Sequence, residues 1–484
     1  MILNINDHKY HYELENICRL FFPYEPLTVT ESNVINTNNN TINVFENDSS
    51  LSVSGSLFEH IFSKTRDYEK NIADDELIIE SALFLFEIFS NITNIRPHWG
   101  ILTGVRPSKL MRTLINKNGR KEAQNYFINR LLVTPEKTKL TYDVAQNENK
   151  IISLSKPEHY SLYISIPFCP TRCSYCSFVS HSVEQAKTLI PLYIKNLCEE
   201  IKYTAQIADK LNLKLSTIYW GGGTPTSLNV EQINMIAKTI SENFYVSAAL
   251  EYTVEAGRPD TITFEKLQTL SENKVNRISI NPQTFNDAVL IEIGRKHTAQ
   301  DTFDAYNLAR KFDFNINMDL ITGLPTDTVD SFKNSIDTAI NLNPDNITIH
   351  TLALKRASKL VSQIGIDKAT GDTQSMLEYA NKNLENNGYI PYYLYRQSRT
   401  IGNLENVGWA KVNTECFYNV YMMEEVHSVF GCGGGAVTKL RNPFNNEISR
   451  IFNFKYPYEY NNRFNEILER KNNIITYYNS IKMP

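Results

Sequence analysis

Between His159 and Leu354 the chain repeats one pattern six times, a short apolar run followed by a longer amphipathic stretch. The runs are Tyr160–Pro167, Leu215–Trp220, Leu250–Glu255, Arg277–Gln283, Asn315–Ile321 and Asn346–Leu352. Stretches such as Val183–Leu211 and Val230–Asn243 separate them. Strands joined through helices pair in parallel, and a parallel sheet hides its outer face under those helices. Six such units predict an α/β fold, an open (β/α)6 partial TIM barrel rather than a closed eight-stranded one. The later runs also carry a phase. Arg277, Ser279, Asn281 and Gln283 alternate with Ile278, Ile280 and Pro282; Asn315, Asn317 and Asp319 alternate with Ile316, Met318 and Leu320; Thr348 and His350 alternate with Ile347 and Ile349. Period two sends each polar set to one face of its strand. An ordinary barrel fills its lumen with branched apolar side chains, so a polar lumen predicts a large polar occupant.

The first run leads directly into Cys169, Cys173 and Cys176, spaced C-x3-C-x2-C. Thiolates at this spacing can hold three irons of a 4Fe–4S cube. The fourth iron has no nearby cysteine and is left to a small molecule, the arrangement needed to reduce S-adenosylmethionine (SAM). A zinc site usually draws on four Cys/His ligands, often as two C-x2-C pairs, and here no second pair follows. A long chain with 7 cysteines does not read as a disulfide framework. Cys18 and Cys198 sit in helix-like stretches, Cys198 sharing an apolar face with Ile194, Leu197 and Ile201, and read as buried small hydrophobes. Cys416 is isolated. Cys432, in Phe430-Gly-Cys-Gly-Gly-Gly-Ala436, falls in what reads as a glycine-rich loop, either as a small packing residue, which is expected there, or as a redox or radical-handling group. The second run ends in Tyr219-Trp-Gly-Gly-Gly-Thr-Pro-Thr226. Consecutive glycines after a strand let the backbone approach a ligand and offer its own polar groups.

A length of 484 residues allows two or three domains. The expected division is an N-terminal α+β domain over 1–150, the partial barrel over 151–360 and a mixed C-terminal region over 361–484. Within the first, Leu27–Val34, Thr41–Phe45 and Leu51–Val53 read as strands, and Phe58–Asp67 and Glu76–Asn91 as helices. Basic and acidic residues number 49 and 53, for a net charge of −4. A general nucleic-acid binder carries a basic excess, so no nucleic-acid partner is expected. No run approaches the roughly 18 apolar residues of a membrane span. The N-terminus lacks the basic start and apolar core of a signal peptide. A cytoplasmic protein with reduced thiols is expected.

The cysteine motif resembles that of the radical SAM superfamily. Tyr163-x-x-Ile-Pro-Phe-Cys169, Gly221-Gly-Gly-Thr-Pro-Thr226 and Asp319-Leu-Ile-Thr-Gly-Leu-Pro325 together resemble the oxygen-independent coproporphyrinogen III oxidase group. Gly104-Val-Arg-Pro-Ser-Lys109, Pro391-Tyr-Tyr-Leu-Tyr-Arg-Gln397 and Gly402-Asn-Leu-Glu-Asn-Val-Gly-Trp-Ala410 resemble its HemZ branch. The likeness spans about residues 100–440. It implies a 4Fe–4S cluster on the three cysteines and SAM as cofactor, in one or two molecules. It matches Tyr163, Gly222, Gly223 and Thr224 to SAM contacts, Tyr175 to the aromatic before the last cysteine, and Glu255 to a SAM-binding carboxylate. Gln283, Arg295 and Asp319 match contacts to a second SAM, as an amide, a cation and a carboxylate suit. The segment around Thr351 departs from the family's next contact. His350 is either a substrate-side group or a structural histidine.

The implied reaction is oxidative decarboxylation of coproporphyrinogen III to protoporphyrinogen IX in haem (porphyrin) biosynthesis, fed by a reducing donor such as flavodoxin or ferredoxin. The tetrapyrrole carries carboxylates that forked arginine donors bind well. Arg106, Lys355, Arg356, Arg396 and Arg399 are candidates. Arg396 and Arg399 come first, because they follow Tyr392–Tyr395, which offers a flat wall for a macrocycle. Two other activities share the scaffold, a haem-opening methyltransferase and a non-enzymatic haem-binding chaperone. The chaperone's His-Asn-x-x-Tyr-Trp motif lacks its histidine in the nearest segment, Gly402–Trp409. A tRNA-modifying relative would want an added basic domain, and none is evident.

Overall fold

The computed structural model describes the chain except residues 7–10, 24, 33–34, 36–39, 48, 70–72, 179, 356–371, 398–399 and 482–484, so the candidate arginines Arg356 and Arg399 lie outside the described residues. Two compact units emerge, residues 1–142 with 396–404, and residues 143–395 with 405–484.

The first unit is built on β1 (Ile2–Asn6), β2 (Thr28–Glu31), β3 (Thr41–Asn47), β4 (Ser50–Leu57) and β5 (His60–Asp67), ordered β2-β1-β3-β4-β5. The first three pair in parallel and the last three as an antiparallel meander. The stretch 58–67, expected as a helix, is strand β5. Phe58 and Glu59 both take positive φ, 46° and 71°. A two-residue turn with positive φ at both positions matches the twist of flanking strands, and it sets Leu57 opposite His60 and Ser50 opposite Asp67. The pairing overrides the helical local pattern. Helix Asp74–Thr93 forms as expected and packs on helix His11–Phe21, with Phe21 edge-on to Phe86 and Phe89 at 5.3 and 5.5 Å.

The second unit holds the alternating pattern. Its strands are β6 (His159–Ile166), β7 (Phe168–Cys169), β8 (His181–Ser182), β9 (Lys214–Gly222), β10 (Glu251–Glu255), β11 (Arg277–Ser279), β12 (Asn315–Thr322), β13 (Asn346–Thr351), β14 (Ile390–Arg396), β15 (Glu405–Ala410), β16 (Ser428–Cys432), β17 (Val437–Arg441) and β18 (Ile448–Phe452). The main sheet runs β14-β15-β13-β12-β11-β10-β9-β6-β16-β17-β18. Its centre, β6 through β13 without the short β7 and β8, is the expected set of six parallel strands. Polar caps start the crossover helices. Asn229 and Gln232 form a reciprocal capping box, as do Thr298 and Asp301, while Thr263 and Thr328 each accept one helix N–H. The helices Ile190–Lys210, Val230–Asn243 and Phe264–Glu272 place Ile194, Leu197, Ile201, Ile233, Ile236, Ile240, Leu267 and Leu270 in one core with Leu162, Ile164, Ile218, Val254, Ile278, Ile316 and Met318. Each such burial contributes about 1.5–3 kcal/mol. The apolar phase of these strands therefore faces the helices, and the polar phase is left for the lumen.

The glycine-rich stretch around Cys432 is not a loop throughout. Ser428–Cys432 is β16, parallel to β6, with Cys432 opposite Ile164. The Cys432 side chain is fully buried, its sulfur 3.4 Å from Thr204 Oγ1. It packs as a small residue, as expected.

Candidate active site

The polar phases of the parallel strands meet inside the sheet. Tyr219 donates its hydroxyl to Glu255 Oε1 at 2.6 Å. Asn317 Nδ2 donates to Asp319 Oδ1 at 2.7 Å, and Thr348 Oγ1 to Asn317 Oδ1 at 3.0 Å. His350 Nε2 lies 3.6 Å from Asp319 Oδ2, and the Tyr395 hydroxyl 3.5 Å from His350 Nδ1. The rings of Tyr163 and Tyr219 both stack on Tyr418, at 6.2 and 4.3 Å between centroids. Both Asp319 and His350 bear on the ionisation of Glu255, although β13 stands three places from β10. In a flat sheet that separation would be about 14 Å at 4.7–4.9 Å per strand, so the sheet curls and its polar face lines a chamber.

Burial pushes the Glu255 carboxyl up to about 7; the Tyr219 hydroxyl pulls it down and the charge of Asp319 adds to the rise. Burial pushes the Asp319 carboxyl up too, but His350, Asn317 and Thr348 outweigh it and hold Asp319 below its ordinary value. The raised value has a consequence for stability. The folded chain holds the Glu255 proton more tightly than the unfolded one, whose value is near 4.5. The stabilisation this gives is complete below about pH 4.5 and is lost as pH rises to about 7. Glu255→Gln, tested without cofactors, should therefore raise the thermal midpoint at pH 8 by about 2–4 °C and leave it unchanged near pH 4.5. Equal midpoints at pH 8 would show that burial does not raise the carboxyl.

A charged lattice closes the chamber at the N-terminal ends of the strands. Glu251, on β10, accepts from Phe417 N at 2.7 Å and from Cys416 Sγ at 3.2 Å. Arg277, on β11, stands 3.5 Å from Glu251, binds Asn346 and donates to the carbonyls of Thr414 and Glu415 at 2.6 and 3.2 Å. Segment 414–418 is thus pinned as a floor, and it delivers the Tyr418 ring. Segment 414–418 lies more than a hundred residues from both Glu251 and Arg277 in sequence, so no local pattern announces the link.

At the opposite ends of the strands the cysteine loop and the glycine loop are laced together. Gly223 N donates to Ile166 O at 2.8 Å and Thr224 N to Phe168 O at 2.7 Å. A β-carbon on Gly223 would stand 2.6 Å from Phe168 O, and Gly222 takes φ +105°, so both positions require glycine. Gly221 lies against the Glu255 carboxylate, which a β-carbon there would meet at 3.2 Å. The Thr224 hydroxyl donates to Cys169 Sγ at 3.5 Å. From the other side, Ser174 N donates to Ile293 O at 3.1 Å and Thr171 Oγ1 to Gly294 O at 3.3 Å. Arg295 donates to Gly257 O, Asn281 O and the Tyr175 hydroxyl at 3.1, 2.8 and 3.1 Å. Gln283 holds a left-handed φ of 69° and donates its N–H to Asp319 O at 2.9 Å.

The three thiols share one environment. Burial pushes those of Cys169 and Cys176 up, and the neighbouring Cys173 adds to the rise in both. Among the described residues no three His, Cys, Asp or Glu side chains converge as ligands to one metal ion. A 4Fe–4S cube takes each thiolate on a different iron and so does not ask for that convergence. Three soft sulfur donors, a threonine hydroxyl on one of them and buried cations beside Cys173 suit an anionic iron–sulfur cluster. The second of those cations, Arg258, was not singled out in the sequence. It lies in Thr253-Val-Glu-Ala-Gly-Arg258, three residues after Glu255, where no local pattern marks it as buried.

Arg396 belongs elsewhere. It is buried in the first unit, with its guanidinium on Leu102 O and, at 3.1 Å, on Asn403 O, over the Trp99 ring at 5.0 Å. Its main-chain N–H donates to Val105 O at 2.8 Å. These contacts hold Arg396 within the unit, where the sequence reading expected it to clamp a substrate carboxylate. Arg396→Ala should cost about 2 kcal/mol, the worth of a charged hydrogen bond, seen as a thermal midpoint lower by about 4–8 °C. An unchanged midpoint would return the residue to the list of substrate contacts.

Residues 163–339 match the model of the radical SAM superfamily. The oxygen-independent coproporphyrinogen-III oxidase-like protein HemZ of Bacillus subtilis is 33% identical over 97% of this chain and 96% of its own length. The heme chaperone HemW of the same organism is 32% identical over 62% of this chain and 77% of its own. The structure of coproporphyrinogen III oxidase (HemN) from Escherichia coli, described as a radical SAM enzyme, superposes with a TM-score of 0.52 at 24% identity over 66% of this chain and 72% of that one, a likeness of fold. Identity at that level along nearly the whole of both chains makes this protein a radical SAM family member of the HemZ-like, coproporphyrinogen-III oxidase-like type.

Proposed function

We propose that this radical SAM oxidoreductase acts on a tetrapyrrole in haem biosynthesis, by oxidative decarboxylation of coproporphyrinogen III to protoporphyrinogen IX. The observation that carries the reading is the polar chamber directly beneath the interlaced cysteine and glycine loops. Its support is the full-length similarity to a coproporphyrinogen-III oxidase-like protein. Cys169, Cys173 and Cys176 would hold a 4Fe–4S cluster, which with bound SAM supplies a 5′-deoxyadenosyl radical able to take a hydrogen atom from a propionate side chain. The chain's own residues bind and orient. Gly221–Gly223 offer main-chain polar groups close to the cysteines, and Glu255 offers a carboxylate beside them. Asp319 and His350, paired on the neighbouring strands, present one carboxylate and one imidazole to whatever lies across the chamber. Tyr163, Tyr219 and Tyr418 give it a flat aromatic side. Loss of carbon dioxide then leaves a vinyl group, with the last electron passing to an external acceptor, and the electron supply comes from a reducing donor protein.

The similarity to HemW favours a second reading, haem binding without turnover. One experiment separates them. Reconstituted protein is incubated without oxygen with SAM, reductant and coproporphyrinogen III, and the porphyrins are weighed by mass spectrometry after oxidation. Loss of carbon dioxide from the substrate with matching 5′-deoxyadenosine supports the proposal. Haem bound in stoichiometric amount with no mass change of the tetrapyrrole supports the chaperone, and a gain of a methyl group supports haem-opening chemistry.

A further inference from the structure

Arg258 follows β10 by three residues and its side chain is 3% exposed. A carboxylate fork fixes it, with Nε on Asp260 Oδ1 at 3.0 Å and a terminal nitrogen on Asp260 Oδ2 at 3.1 Å. The remaining terminal nitrogen donates to Thr171 Oγ1 at 3.1 Å and Thr171 O at 3.4 Å, and reaches Cys173 Sγ at 4.0 Å. A guanidinium cannot lose its charge at any working pH and donates in a fixed plane. A permanent cation therefore sits against one sulfur of the cysteine loop and is tied to the loop's main chain. Asp260, by contrast, is partly exposed, its side chain at 24%, so solvent screens its charge more than that of the arginine.

We propose that Arg258 is a positioning residue that also sets the reduction potential of the cluster. This rests on the reading of Cys169, Cys173 and Cys176 as cluster ligands. Reduction adds one negative charge to the cluster, and a fixed cation at Cys173 favours the more negative state. Net charge and hydrogen bonds to the sulfurs are the levers by which a protein moves such potentials. Charge in a buried place is screened less than at the surface, so the effect reaches the iron rather than being lost to salt. Arg295, spread over two carbonyls and the Tyr175 hydroxyl, adds charge on the same side. Arg295 also bears on Cys173, but Arg258 joins that sulfur to the main chain of the loop that carries it, through Thr171 O.

The test is a redox titration of the reconstituted cluster followed by electron paramagnetic resonance, with iron content measured on the same samples. Arg258→Gln should keep most of the iron and shift the one-electron reduction equilibrium at least tenfold against reduction, about 59 mV more negative. Arg258→Lys, which keeps the charge and loses the fork, should stay closer to the wild type. Asp260→Asn, which leaves the guanidinium uncompensated, should move the potential the other way. A purely structural role predicts lost iron with an unmoved potential. Wild-type potentials in both Arg258→Gln and Asp260→Asn overturn the inference. Should Arg258→Gln lose its cluster, the sign of the Asp260→Asn shift decides. A wild-type protein that takes up no iron–sulfur cluster sinks the functional reading itself, and is told apart from failure of this inference before any variant is made.

Discussion

Cys173→Ala protein, purified and reconstituted without oxygen, will retain almost none of the roughly four irons per chain that a 4Fe–4S cube brings. Cys173 is the buried member of the three and lies between Arg258 and the loop that Tyr175 anchors to Arg295. The outer cysteines are half-buried and tied less closely to that charge. Removing any of the three leaves one iron of the cube without a thiolate, in addition to the one that has none by design. Cys169→Ala and Cys176→Ala should lose most of the iron as well. The fold should survive, because none of the three sulfurs belongs to the apolar core between strands and helices. Iron and sulfide analysis beside a near-ultraviolet circular dichroism spectrum checks both halves of the claim. Stoichiometric zinc in the reconstituted wild type, or full iron in Cys173→Ala, would contradict it.

The second large effect is at Glu255. Glu255→Gln should bind iron as the wild type does yet produce 5′-deoxyadenosine at least ten- to a hundred-fold more slowly at subsaturating SAM. A hydrogen bond to a charged group is worth about 1.5–3 kcal/mol, which is that range in affinity. SAM carries positive charge, and a carboxyl held near 7 by burial must lose its proton to meet it. SAM should therefore bind the wild type more tightly as pH rises from 6 to 8, and the dependence should vanish in Glu255→Gln. The same variant is the one expected to be more stable without cofactors at pH 8, so slower cleavage would not be a symptom of unfolding. Equal cleavage rates in the two proteins would remove Glu255 from the site.

Much of this was legible because the relevant signals are local. Period two along Arg277–Gln283, Asn315–Ile321 and Asn346–Leu352 carries the orientation of the strands, and Asp319 and His350 do lie on the chamber side with Glu255. The link between Gly221–Thr224 and the cysteine loop follows from two motifs at the ends of neighbouring strands. What escaped depends on contacts distant in sequence. Phe58–Asp67 has a helical look that yields to a strand once β4 is beside it. Gly431 and its neighbours suggest a loop, yet β6 recruits Ser428–Cys432 as a parallel strand. Arg396 sits beside a run of tyrosines and looks like a surface cation, while its partners, Leu102 and Trp99, are nearly three hundred residues away. A charged residue's burial is decided by such partners, and nothing in its own neighbourhood reports them.

The floor formed by Glu251, Arg277 and segment 414–418 has a kinetic meaning. A chamber sealed at that end is a blind alley, and whatever enters must leave by the cysteine-loop side. If SAM lies just inside that mouth, against the glycines and Glu255, a tetrapyrrole that docks over them first would block its path. Addition should then be ordered, with SAM leading, and spent 5′-deoxyadenosine and methionine should be trapped until the larger product departs. Product inhibition patterns would carry that signature: 5′-deoxyadenosine competitive with SAM, and the porphyrinogen product mixed against the tetrapyrrole. Opening the floor, for instance by breaking the Arg277–Glu251 pair, should blur the order before it abolishes the chemistry.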